Sequence, residues 1–370
     1  MSQKGVRTLL KLRIPSAALK NEYANRYLDK LADRVKNGVM SNGTLCELSS
    51  EAKKILLPEW NTPTPNKEVL RKLLICEPKA LKKLNDELVA KFNAIPNVAN
   101  RPSDNILLLI FGYEKVFNSS SKSEAYWLSK QIDSNTCVYC NRQYAFTIEK
   151  GTGSNKAERL TRPAFDHWFD KGTYPLMSLS LCNLIPSCTI CNSSIKGSSN
   201  FDLATHTHPY VHEPGHPDIT FRASLTTNMP PEWTVVIDTP TGSKEERTVK
   251  EMKLQEIYAM HGELEVRDLI NFNNAYSPGY LKQLFEEVLK DSKRKLSRSD
   301  IYRMLFGAEM NSSHFLDRPL SKMKHDILVT IGVLSNVQKI TSAENLRSRA
   351  SDEIVPFREF IIKDDTSALL

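Results

Sequence analysis

The segments Cys137-Val-Tyr-Cys140-Asn-Arg-Gln-Tyr144 and Leu181-Cys-Asn-Leu-Ile-Pro-Ser-Cys188-Thr-Ile-Cys191-Asn192 decide how this chain is read. Each holds a CxxC pair, a gap that lets both thiolates of one turn reach the same tetrahedral ion at about 2.3 Å. Two such pairs complete a shell of four thiolates. A closed shell leaves no position for water, which predicts a structural zinc held by Cys137, Cys140, Cys188 and Cys191. One pair alone would equally suit redox chemistry; two pairs without a thioredoxin-like strand–helix–strand context favour the metal. Cys46, Cys76 and Cys182 lack that spacing and are expected to be buried apolar thiols.

The stretch 141–187 between the two turns exceeds the usual zinc-ribbon gap, so something is inserted there. It carries Phe165-Asp-His167, Tyr174-Pro175 and Leu179 to Leu184 with Asn183, and just past the last cysteine stand Asn192 and Lys196. In that order and spacing the segment resembles the HNH nuclease motif in its Asp-His, Asn, Asn form. The resemblance implies a ββα-metal core in which His167 is the general base. It also implies that Asp166 and Asn192 bind a catalytic divalent ion, and that Asn183 fixes the loop that orients the histidine.

Elementary chemistry agrees with those roles. Phosphodiester hydrolysis needs a water stripped of a proton and a charge that neutralises the scissile phosphate and the leaving oxygen. Oxygen donors such as Asp166 and Asn192 suit magnesium or manganese rather than zinc. Adjacent strand residues face opposite sides, so Asp166 and His167 share one site only where the strand ends, and Trp168-Phe-Asp-Lys-Gly172 offers that break. A helix starting at the second CxxC places Asn192 and Lys196 at i and i+4 on one face, towards the scissile phosphate. The competing reading makes Asp166-His167 a polar strand end, and Asn183 and Asn192 turn and cap residues of a structural ribbon.

Outside this segment the periodicity is helical. Tyr23, Tyr27, Leu28, Leu31 and Val35 mark one buried stripe over Ala18 to Lys36, and Leu81, Leu84, Leu88, Phe92 and Ile95 another that opens at Pro78. Ile106 to Phe117 is apolar without a decided type, and Ala125 to Ile132 reads as a short helix. Asp218 to Leu225 and Glu232 to Asp238 alternate as a strand pair. Helical patterns then resume from Lys250, including Leu281, Leu284, Phe285 and Val288 and later Ile327, Leu328, Ile331 and Leu334. The expected class is α+β: a helical region over 1–125, the nuclease core over 126–217, and a hairpin with helices over 218–370.

A net charge of +7 permits a polyanionic partner without demanding one. Lys79, Lys82, Lys83 and Lys91, and the cluster Lys290, Lys293, Arg294, Lys295 and Arg298, can touch phosphates or simply form solvated faces. Gly151 to Lys156 lacks the GK[ST] ending of a nucleotide loop. His206, His208 and His212 form a second cluster that could ligate a metal, but loop histidines are more often solvated, and His208-Pro-Tyr210 reads as a chain reversal. No apolar run reaches membrane-spanning length and the first residues lack an h-region, so a cytoplasmic protein is expected.

The helical flanks and Tyr139-Cys-Asn-Arg-Gln-Tyr144 further resemble stand-alone HNH proteins of bacterial antiphage systems such as Septu. That implies a DNA-cutting defence effector working beside a separate ATPase, and the chain has no Walker motif of its own. Two alternatives stay open: a zinc-dependent nucleic-acid-binding module without catalysis, and a toxin-like nuclease cutting RNA. Self-association is also left open.

Overall fold

The computed structural model describes residues 10–117, 123–132, 134–150, 158–212, 219–275 and 298–331. The chain divides into two compact units between Gly215 and His216, and the N-terminal helices share the first unit with the cysteine-rich segment. The architecture is mixed: helices accompanied by small antiparallel two-stranded ladders.

In the first unit, helix α1 (Ala17–Asn37) starts at Ser16, whose hydroxyl accepts from the Leu19 amide, and buries Tyr23, Tyr27, Leu31 and Val35 as the sequence stripe requires. A short hairpin, β1 (Val39–Ser41) with β2 (Thr44–Cys46), follows around Asn42 and Gly43, both at positive φ. Helices α2 (Ser50–Leu56), α3 (Glu68–Ile75) and α4 (Pro78–Asn93) come next, α4 opening on its proline. The apolar stretch of undecided type is two short helices, α5 (Asp104–Phe111) and α6 (Tyr113–Phe117). They are separated by Gly112 in the left-handed region, where a Cβ would stand 2.7 Å from the Arg34 guanidinium. Helix α7 (Ser123–Gln131) leads to the first CxxC turn.

Two ladders and a helical turn build the rest of this unit. Strands β3 (Ile148–Lys150) and β4 (Glu158–Thr161) pair as an irregular hairpin. Strands β5 (Ala164–His167) and β6 (Leu184–Ser187) pair in the register Asp166 to Ile185 and His167 to Leu184. A π-helical turn, Ile190–Lys196, follows immediately and stops at Gly197, where φ is positive.

The N-terminal helices brace the long connection between β5 and β6. The Tyr23 hydroxyl donates to the Leu179 carbonyl at 2.8 Å, and the Ser180 hydroxyl donates to the Leu73 carbonyl. Helix α5 packs on the turn Pro175–Met177. Trp168, wholly buried, lies against Phe169, Phe201 and His208, with its indole N–H on the Thr207 carbonyl.

The second unit contains the expected hairpin, β7 (Thr220–Leu225) with β8 (Trp233–Asp238). Helices Lys244–Glu251, Leu254–Ala259, Arg267–Ala275, Arg298–Phe306 and Ser321–Thr330 accompany it. Asp326 fastens the last helix to β7 by accepting from the Phe221 amide, and pairs with Lys322. The Gly151 to Lys156 loop, the Leu281 to Val288 stripe, Leu334 and the cations Lys290, Lys293, Arg294 and Lys295 lie outside the described residues. No helix among the described residues is long and apolar enough to cross a membrane.

Candidate functional site

The first CxxC is a tight turn: the Asn141 amide returns to the Cys137 carbonyl at 2.8 Å, and Asn141 itself sits at positive φ. The turn docks on β6 through the Val138 amide and the Pro186 carbonyl, 3.3 Å apart. The second CxxC closes where β6 runs into the π turn, with the Cys191 amide 3.4 Å from Cys188 Sγ. The four sulfurs of Cys137, Cys140, Cys188 and Cys191 converge within 4.8 Å of one another and all four residues are buried. Tetrahedral thiolates at about 2.3 Å from one ion would stand a little under 4 Å apart, so the cluster fits a metal such as zinc. No disulfide forms among them. Of the three cysteines expected to be buried, Cys182 is, and burial pushes its thiol up to about 12. Cys46 and Cys76 are half-buried, because each lies at the end of a surface element.

Strand β5 delivers Asp166 and His167 side by side, and it ends at His167, after which the chain bends at Trp168 and Phe169. Both residues therefore line one cleft of about 350 Å³, together with Asn192, Asp170, Tyr113, Glu114, Arg162 and Lys171. Asp166 is 3 % exposed. Its Oδ2 accepts from the Tyr139 hydroxyl at 2.5 Å, and its Oδ1 lies 3.2 Å from Lys196 Nζ. Burial raises its pKa above the ordinary aspartate value, and the Lys196 charge opposes that rise.

His167 places Nε2 3.0 Å from the Ser178 carbonyl. A carbonyl only accepts, so Nε2 carries the hydrogen and neutral His167 keeps the bare lone pair on Nδ1. Burial, reinforced by the Lys171 charge, lowers its pKa to about 4, and the ring lies edge-on to Tyr113 with centroids 4.4 Å apart.

Asn183 is fully buried and its amide is saturated. Oδ1 accepts from the Phe169 amide at 2.7 Å, while Nδ2 donates to the Phe169 and Met177 carbonyls at 3.1 and 3.0 Å. With the Trp168 amide on the Asn183 carbonyl, it staples both ends of the loop that presents the Ser178 carbonyl to His167.

Lys196, expected on the cleft wall beside Asn192, is buried. Its ammonium reaches the Asp166 carboxylate and, at 2.8 Å, the His167 carbonyl. The turn is π rather than α, and an interior carboxylate attracts the nearest cation. Asn192 is half-buried and does reach the cleft. The cations that line the cleft are Arg162 and Lys171, which sequence reading passed over because nothing in their spacing marks them. Arg162 lies over the Phe165 ring, and Lys171 pairs with Glu114 above Tyr113.

Among the other candidates, Lys82 and Lys83 pair locally with Asp86 and Glu87, as on a solvated helix face. Of the loop histidines, His208 is buried against Trp168 in a turn closed by the Val211 amide on its carbonyl, the chain reversal that the Pro-Tyr step suggests. Among the described residues, the cysteine cluster is the only place where three or more His, Cys, Asp or Glu side chains bring their ligand atoms together as one metal site would need.

No family model, curated protein or solved structure matches this chain.

Elemental analysis of protein purified without added metal is expected to find about one zinc per chain, and Cys191→Ser to lose most of it. Lys196→Ala leaves the Asp166 carboxylate buried without its counter-charge and should destabilise the first unit by about 3–5 kcal/mol, read from denaturant midpoints.

Proposed function

We propose that the chain is a metal-dependent endonuclease of the HNH type, hydrolysing DNA phosphodiester bonds. The observation that carries this reading is the end of β5, where a desolvated His167 with a bare Nδ1 and a buried Asp166 open with Asn192 into one cleft. The strand pair followed by a helical turn is the order of elements that a ββα-metal core requires.

In this reading Asp166 and the Asn192 side-chain carbonyl would hold a divalent ion, which would supply positive charge for the scissile phosphate and the leaving oxygen. The chemistry of the donors fits such an ion: Asp166 and Asn192 offer oxygen donors on one cleft, and the Tyr139 and Lys196 contacts engage one lone pair on each Asp166 oxygen of the about four an ionised carboxylate has. His167 Nδ1 takes the proton from the attacking water, and the Ser178 carbonyl holds the ring in the tautomer that makes this possible. Lys196 opposes the effect of burial on Asp166 and fixes the carboxylate in place. Arg162 and Lys171 hold the phosphate backbone, Lys171 exchanging Glu114 for the polyanion. The resemblance to antiphage effectors adds a separate ATPase chain as the proposed activating partner.

The direct test is cleavage of plasmid and of structured RNA by the full chain with magnesium or manganese, with and without an ATPase encoded beside it. Cleavage of DNA that disappears in His167→Ala, with zinc content unchanged, supports the reading. Binding without cleavage in every condition replaces it by a binding module, and cleavage of RNA alone by a ribonuclease. Because the folded pKa of His167 lies below the ordinary 6.5, at about 4, its base form persists as pH falls through 6.5. The acid limb of kcat/KM should therefore lie well below 6.5; a limb at 6.5 would assign the proton transfer to another group. Lys171→Ala should weaken DNA binding without altering zinc content, and flatten the salt dependence of log K by about one phosphate contact.

A further inference from the structure

Both halves of the cysteine clamp reach the same carboxylate. Tyr139 sits between Cys137 and Cys140, is wholly buried, and donates its hydroxyl to Asp166 Oδ2. Lys196 ends the helical turn that contains Cys191, is equally buried, and meets Asp166 Oδ1. Nothing else in the molecule hydrogen-bonds to that side chain among the described residues. A pull on either CxxC turn is therefore a pull on one oxygen of Asp166. The tyrosine side chain is wholly buried, in an interior close-packed enough to transmit such a displacement.

We propose that the metal in the clamp sets the divalent-ion affinity of the cleft, with Tyr139 as the positioning residue that carries the coupling to Asp166. The inference rests on the reading of Asp166 as a ligand of the catalytic ion. Groups that hydrogen-bond to a metal-binding carboxylate orient its lone pairs, and removing one typically costs about 10–100-fold in metal affinity. Tyr139 is such a group, placed on the backbone of a different metal's site. The coupling is reciprocal by necessity: an ion bound at Asp166 must steady the clamp by the same factor as the clamp steadies the ion.

The experiment is manganese binding to the zinc-loaded full chain, followed by the electron paramagnetic resonance signal of free Mn2+, with zinc measured in the same samples. Tyr139→Phe keeps the ring and loses only the hydroxyl. It should retain about one zinc per chain and bind Mn2+ about 10–100-fold more weakly than the natural chain. Natural affinity for Mn2+ in zinc-loaded Tyr139→Phe overturns the coupling and leaves the cleft reading intact. Asp166→Ala separates the two: if it binds Mn2+ as the natural chain does, the cleft reading falls and the proposal falls with it. Should Tyr139→Phe fail to fold, the natural chain provides the reciprocal measurement, its equilibrium zinc affinity in competition with a chromogenic chelator. Magnesium that tightens zinc binding in the natural chain but not in Asp166→Ala supports the coupling, and a zinc affinity indifferent to saturating magnesium overturns it.

Discussion

A carboxylate taken out of water must be compensated where it stands, and the arrangement of the first unit follows from how Asp166 is compensated. Its two oxygens are met by a phenol and an ammonium that come from opposite ends of the cysteine-rich segment. For both to arrive, the first CxxC turn must lie against β6 and the chain after Cys191 must coil back towards β5. The four-sulfur cluster closes that circuit. Metal site, strand pair and buried acid are thus one construction: loosening any one of them leaves a desolvated charge without its partners.

The same logic explains why the helices before residue 125 belong to the site rather than standing beside it. A histidine can act as a base at one nitrogen only if the other is fixed, and here the fixing group is a backbone carbonyl in a loop of irregular turns. Such a loop has little packing of its own. It is held from within by the saturated amide of Asn183 and from outside by Tyr23, Leu73 and α5. Mutations far along the sequence, in α1 or α3, therefore reach His167 through Ser178.

What could be read from the sequence was what short-range chemistry dictates. Paired cysteines declare a four-thiolate site because the spacing itself is the geometry. The strand end at His167 was legible because Trp168-Phe-Asp-Lys-Gly172 interrupts alternation, and the stripes of α1 and α4 because their period is regular. Lys196 was misplaced for a physical reason: the i, i+4 argument presumes an α-helix, and the turn after Cys191 is π and terminates at a left-handed glycine. The first hairpin was missed because three-residue strands are too short to show alternation, although Asn42-Gly43 carried a local turn signal. Arg162 and Lys171 had no signal at all, since a cation becomes part of a cleft only through tertiary placement.

The cleft brings together groups of both signs: Asp166, Asp170 and Glu114 against Arg162 and Lys171. A site for a cation alone would need only the acids, and a site for a phosphate alone only the bases. On the proposed reading, a mixed lining would admit a divalent ion and a polyanion together, each neutralising the half of the wall that would repel the other. Glu114 and Lys171, both lining the cleft, pair with one another. The sulfur cluster stands apart from this exchange, closed and dry, and the soft thiolates that suit zinc are the ligands least suited to magnesium. On the proposed reading, two metals of different character would occupy one small unit without competing, linked by position through Tyr139 rather than by shared ligands.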